Sequence, residues 1–583
     1  MNLSEFLNTV DGLCKSARRE DLENFMHEYA RSLSASERTA FLELLKQSAD
    51  VGSSEVNRKQ RHDFAAKYEQ IKEDLTKIED GELELEGSLN EEYDDWYNSD
   101  ADEFLYEDPS GIGQIICEAC EFLSECVERG EYELGNDIAE ILLGLEIQVG
   151  GEYQDYDGDP LELDELPGHR IADFNYDEMV VCALRAAYGS FPLEDRADVL
   201  YHMISGSKVG KVTLENVMQK GEELPEFDVF LRLWISYLGN ITGRRAQTLL
   251  EEALGLANDA EFLLENARIY ADRHPGLYEK YLESRKLSDS DGQIRVIGME
   301  ALQAIDPKYR VRSRVAEMIL PAAERLEDWN LWDGCLLEAF RSDSTVRHYM
   351  NLRRYCHDFS SCRHELTRIS ADIYHHIDPY RYYHAYGNGE LEENHADVLT
   401  AYMLAFLEGD FAFVLEQGMG KKEALGWSGT FMKCGLAAFL LLLLEGDTLP
   451  VGCRAMCQIV DSSVGFSESN SLADVMKTVG DVDKDNFWTN FLFWKKSLNL
   501  APEQKEAFLK RMEQMIAVRV QGIMDANRRN YYDECAAYVA AMGEARESGG
   551  ERNGKQRFMQ RYSTQYSRRS AFRRELKNFG MKE

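Results

Sequence analysis

Apolar side chains in this chain return every three or four positions, and few stretches alternate as a strand would. Phe64, Tyr68, Ile71, Leu75 and Ile78 form one such stripe and predict a helix over 57–79. Ile115, Ile116, Ala119, Phe122, Leu123 and Cys126 predict a second helix, and Leu134, Ile138, Ile141, Leu142 and Leu145 a third. The short turn Arg129-Gly130-Glu131-Tyr132 between them requires an antiparallel hairpin within 111–148. From about 176 to 345 the pattern predicts Phe227–Leu238, Arg244–Leu254, Glu261–Asp272, Tyr309–Leu326 and Trp329–Phe340. Gly239-Asn240, Gly255, His274-Pro275 and Asp306-Pro307 punctuate them. Toward the C-terminus the predicted helices are Phe487–Leu498, Pro502–Met524 and Asn530–Arg546.

One stretch occurs twice. Ala401–Val414, AYMLAFLEGDFAFV, lies over Ala438–Val451, AFLLLLLEGDTLPV, at a shift of 37 residues. Ala401/Ala438, Leu404/Leu441, Leu407/Leu444, Glu408/Glu445, Gly409/Gly446, Asp410/Asp447 and Val414/Val451 are identical. Each copy reads as an apolar helix ended by Gly-Asp and followed by a second helix. A period in this range marks stacked supersecondary units.

A chain of 583 residues exceeds one hydrophobic core, so several domains or one long array of repeats are expected. The pattern divides it into an N-terminal helical domain (1–80), with a cap at Ser34-Ala35-Ser36-Glu37, and an acidic linker (81–110). Helical repeats follow (111–345), then a His- and aromatic-rich segment (346–395), further repeats (396–550) and a basic tail (551–583). Two acidic loops are expected, at 79–108 and 149–175. The first holds 14 Asp or Glu and no Lys or Arg. The aromatics Tyr93, Trp96, Tyr97, Phe104 and Tyr106 inside it would suit either a docking peptide or a linker packed back on the body.

Net charge is −40, which repels nucleic-acid phosphates and anionic lipid from the body. The tail is the exception, with ten Lys or Arg against three Glu. Arg568, Arg569, Arg573 and Arg574 lie there among Tyr562, Tyr566 and Phe572, a mixture that nucleic-acid surfaces use. The competing reading has Tyr562, Tyr566, Phe572, Leu576 and Phe579 cap the last repeat. The longest apolar run, Leu436–Leu444, is too short to span a bilayer and reads as a helix buried on nearly all sides. The N-terminus lacks a basic segment before an apolar core, so no signal peptide is expected. Twelve scattered Cys show no disulfide framework, and a cytoplasmic protein with reduced thiols is expected.

Seven of the 12 His fall between His348 and His395, and the metal candidates there are Cys356, His357, Cys362 and His364. Ser360–Ile377 reads as one helix, on which Cys362 and His364 point apart and His364 lies three turns from His375. No metal or other cofactor is therefore assigned. Partly buried histidines at helix interfaces, or a groove lined by His375, His376, Tyr380, Tyr383 and His384, are the expectations. Three Asp-rich strings, at 155–159, 289–292 and 481–485, fail the spacing of a calcium loop: the first and third lack Gly at position 6 and Glu at position 12, and in the second Gly292 at position 6 puts Leu287 at position 1 and Gly298 at position 12. Gly206–Val212 is one residue short of a phosphate loop, and no strand is predicted before it. No catalytic residue is assigned.

In layout the chain is similar to α-solenoids of the tetratricopeptide/HEAT kind, most clearly over 396–465 and more loosely over 111–547. The resemblance implies an all-α fold of right-handed stacked hairpins and a non-catalytic scaffold or adaptor whose concave surface grips another protein or peptide. Two alternatives stand beside it. One is a regulatory accessory subunit of a nucleic-acid-processing system, acting through Arg568, Arg569, Arg573 and Arg574. The other is an enzyme or metalloprotein with its site in 348–395. No membrane partner is expected.

Overall fold

The computed structural model describes residues 55–90, 104–151, 153, 159–208, 212–220, 223–377, 393–394, 396–420, 423–468, 472 and 485–582, and five residues near the N-terminus, Phe25, Met26, Tyr29, Ala30 and Phe41. The cap at Ser34, the aromatics Tyr93, Trp96 and Tyr97, and the Asp strings at 155–157 and 481–483 lie outside the described residues. Two compact units divide the chain, Met1–Phe227 and Asp228–Glu583. The described residues hold 24 α-helices and five short strands, so the protein is all-α.

In the first unit, α1 spans Glu55–Glu79, α2 Ile112–Arg129, α3 Tyr132–Leu143, α4 Tyr176–Ser190, α5 Arg196–Gly206 and α6 Leu214–Met218. Both oxygens of the Asp108 carboxylate accept backbone N–H groups at the start of α2, Ile112 at 2.8 Å and Gly113 at 2.8 Å. The α2–α3 hairpin forms over the expected turn, and α4 packs on both of its helices. Its core is the predicted stripe: Ile116, Ala119, Phe122, Leu123, Ile138 and Leu142 are buried, with Leu75 and Ile78 of α1.

Short strands form inside both expected acidic loops and just before the second, where the sequence predicts none. β1 (Leu85–Leu89) pairs antiparallel with β2 (Phe104–Glu107) and parallel with β4 (Val149–Gly151). β3 (Glu146–Ile147) pairs antiparallel with β5 (Leu161–Glu162). Leu85 faces inward while Glu84 and Glu86 face water, a period of two too short to stand out among so many acids.

α7 (Phe227–Gly239) begins at the boundary residue, and the second unit goes on with α8 (Arg244–Ala257), α9 (Ala260–Tyr270), α10 (Gly276–Arg285), α11 (Asp291–Ala304), α12 (Val311–Arg325), α13 (Trp329–Ser342), α14 (Val346–Tyr355) and α15 (Phe359–His375). From α9 to α14 each helix packs on the next. α8 also meets α10, α10 meets α12, and α13 meets α15. Successive helices thus pack in a row, and α8, α10 and α12 also meet one another in turn.

Then come α16 (Val398–Glu408), α17 (Phe411–Phe413), α18 (Phe431–Leu443), α19 (Val451–Ser463), α20 (Phe487–Lys496), α21 (Pro502–Asp525), α22 (Tyr532–Ser548), α23 (Gly554–Gln565) and α24 (Ser570–Asn578). Every residue of α18 except Lys433 is buried. The repeated segments share a backbone feature: Gly409 and Gly446 both have left-handed φ, 84° and 86°. They diverge after it. Asp410 caps α17 at once, its carboxylate accepting from Phe413 N at 3.1 Å, and a π turn over Val414–Gly418 follows. Asp447 does not cap, and α19 starts four residues later, after Pro450.

Candidate functional site

α8 exposes a polar stripe and hides an apolar one. Ala246, Leu249, Leu250, Ala253 and Leu254 are buried. Arg244, Gln247, Thr248 and Glu251, at positions i, i+3, i+4 and i+7, lie together on the opposite face. Beside that face stand the first turns of α10 and α12, because α8, α10 and α12 pack in sequence. The result is a cavity of about 200 Å³ lined also by Gly276, Glu279, Tyr309 and Arg314.

Local chemistry fixes its floor. Gln247 Nε2 donates to Glu251 Oε1 at 2.9 Å. Gln247 Oε1 is buried with no hydrogen-bond partner among the described residues. Gly276 makes the approach feasible, since a Cβ there would sit 2.3 Å from Gln247 Nε2. Across the cavity Arg314 Nε donates to Glu279 Oε1 at 2.7 Å. Burial pushes the Glu251 carboxyl above its usual range, against the pull of the Gln247 amide. The site therefore sets a polar lining beside paired charges of both signs, with the unpartnered Gln247 carbonyl oxygen enclosed next to it.

A larger cavity, about 530 Å³, lies among α18, α19 and α22 and is lined by Thr430, Lys433, Gln458, Ser462, Asp533 and Phe579 among others. Glu534 at its side is held by Arg519 at 2.8 Å and by Lys433 at 3.4 Å.

The described histidines of the segment 348–376 do not converge on one site. His348 is buried between Glu317, 3.1 Å from Nε2, and the Asp343 carbonyl, 2.7 Å from Nδ1. Burial opposes its charge, but Glu317 and Asp343 carry the net shift upward. His357 stacks on Trp329, ring centroids 4.1 Å apart. His364 is exposed. His375 is exposed beside Phe413, 5.1 Å between centroids, and His376 folds back on Asp372. Tyr380, Tyr383 and His384 lie outside the described residues. Of the metal candidates, Cys356 and Cys362 come together, Sγ to Sγ 3.8 Å. Among the described residues no three His, Cys, Asp or Glu form a metal-holding group.

The basic tail folds as α23 and α24, both packed on α22. Phe558, Tyr562, Phe572 and Leu576 are buried, which leaves Tyr562 and Phe572 no free face for a base. Arg569 donates to Asn527 Oδ1 at 2.7 Å and to Met524 O at 2.7 Å, closing the C-terminal end of α21. Arg568, Arg573 and Arg574 are exposed.

No family model, curated protein or solved structure matches this chain. Among the described residues, no helix is long and apolar enough to cross a membrane. The polar stripe of α8 was available in the sequence. Its meeting with Gly276, Glu279 and Arg314 was not, because it depends on how α10 and α12 pack.

Proposed function

We propose that this protein is a non-catalytic scaffold or adaptor that holds an extended segment of another protein. In this reading α8–α13 are stacked hairpins of the tetratricopeptide/HEAT kind. The alternate helices α8, α10 and α12 then line one face of the stack. The observation that carries the reading is the polar cavity these three helices share, lined by Gln247, whose enclosed Oε1 has no partner and would find one on turning toward an incoming donor. A carboxamide oxygen complements a backbone N–H, and an unpaired buried acceptor gains most from finding one. Arg244 and the Arg314–Glu279 pair at the rim would set register through charge, as rim charges do.

The test is comparative affinity capture on the full chain, with crosslinking to locate the contact. Wild type, Gln247→Leu and Arg244→Glu are compared with Arg574→Glu in the exposed tail. A bound protein crosslinked near Thr248, lost with the two groove variants and kept with Arg574→Glu, supports the proposal. Partners that survive both groove changes defeat it. Retention of nucleic acid that depends on Arg574 would favour the accessory-subunit reading instead.

A further inference from the structure

Cys356 and Cys362 are six residues apart in the chain, and their sulfurs are 3.8 Å apart in space. Cys356 ends α14, where it is half-buried, and Cys362 lies in the first turns of α15, where it is buried. The corner between them is held by α13. Asp333 accepts the backbone N–H of His357 at 2.7 Å and of Asp358 at 2.8 Å. Trp332 Nε1 donates to Tyr355 O at 2.9 Å. His357 stacks on Trp329. These bonds fix the backbone on both sides of Cys356, so the two thiols cannot drift apart. A disulfide needs about 2.05 Å between sulfurs, and side-chain rotation has to supply the remaining approach.

We propose that Cys356 and Cys362 form a reversible dithiol–disulfide site that reacts with low-molecular-weight disulfides. The half-buried Cys356 is the entry point. Its thiolate attacks one sulfur of the small disulfide, the S–S bond breaks, and one thiol leaves with the proton that Cys356 released. Cys362, deprotonated in turn, attacks Sγ of Cys356 and expels the second small thiol. Two protein thiols are oxidised to one disulfide, and one small disulfide is reduced to two thiols. Burial, the neighbouring Cys362 and the Asp333 carboxylate raise the Cys356 thiol, so the first step is slow near neutrality. Its rate rises about tenfold per pH unit, because only the thiolate attacks.

The experiment incubates the folded full chain in buffers of graded oxidised and reduced glutathione, traps free thiols by alkylation and maps the peptides. The expected result is one crosslink, Cys356–Cys362, that opens again when the buffer is made reducing. Cys362→Ser is expected to stop at a stable glutathione adduct on Cys356. Cys356→Ser is expected to leave Cys362 unmodified. Should either variant fail to fold, the wild-type peptide map alone decides. Full alkylation of both thiols in the native chain across the whole range, or a crosslink elsewhere, overturns the proposal.

Discussion

Lys495 places its ammonium nitrogen 2.9 Å from the main-chain oxygen of Leu441, at the C-terminal end of α18. It also donates to Leu444 O, while its neighbour Trp494 donates from Nε1 to Leu407 O at 2.7 Å. Leu407 and Leu444 are the equivalent positions of the repeated segment. Two adjacent residues of α20 therefore close the two copies in the same way. Burial lowers the Lys495 pKa to about 8 from its usual 10.5, although Glu445 pulls the other way. Above about 8 the folded chain has released a proton that the unfolded chain keeps until 10.5. Stability from this group therefore rises with pH between those values and is flat below them. The expected gain, discounted for partial exposure, is on the order of 2 kcal/mol. Urea melts across that window should show the rise in wild type and a flatter profile in Lys495→Met. Parallel profiles would refute the assignment.

Gly409 and Gly446 give a paired test of the repeat. Each has φ near +85°, and a Cβ added at either meets nothing within 4 Å. The cost of Gly→Ala is then backbone strain alone, about 1 kcal/mol. Gly409→Ala and Gly446→Ala are expected to lower stability by equal amounts in chemical denaturation. A severalfold difference would show that the two sites are not equivalent.

α19 begins after Pro450 without a side-chain cap of its own. Glu544 of α22 supplies one from outside: its carboxylate accepts Gly452 N at 3.0 Å and Cys453 N at 2.8 Å. Lys555 balances the charge at 2.7 Å. Removing the carboxylate leaves two buried N–H groups and one ammonium unpaired. Glu544→Ala is expected to cost roughly 3 kcal/mol, and Glu544→Gln less, because one amide oxygen still accepts. Urea unfolding of the three proteins checks the order.

The helices were legible in the sequence because their apolar positions repeat every three or four residues. Phe227–Gly239, Pro502–Asp525 and Ile112–Arg129 fall within a few residues of the expected spans. The strands were hidden because β1 offers five residues of alternation inside an acidic run. The 37-residue repeat forecast like turns at Gly409 and Gly446 but not the early cap at Asp410. Long-range partners have no periodicity to read. Gln247 with Gly276 and Glu544 with Gly452 depend on packing alone. So does the clamp of Asp333 that holds the cysteine pair in place.

Arg347 and Asp485 are the strongest case of such a partner. Their side chains are 4% and 2% exposed, and Arg347 Nη1 donates to Asp485 Oδ2 at 3.3 Å. Arg347 also donates to Phe466 O at 2.8 Å and lies over the Phe466 ring. Asp485 accepts further from Tyr355 OH at 3.2 Å and from Asn490 Nδ2 at 2.9 Å. Both 466 and 485 are thereby tied to α14. A charge this deep is tolerated only because its partner is present. Asp485→Ala strands the Arg347 guanidinium, also takes the carboxylate from Arg354 3.5 Å away, and is expected to cost about 3–5 kcal/mol. The double variant Arg347→Met with Asp485→Ala removes the two deepest charges, leaves only the more exposed Arg354 without its carboxylate, and should recover part of that loss. A double-mutant cycle in urea measures the coupling. If the two losses simply add, the pair does not act as a unit.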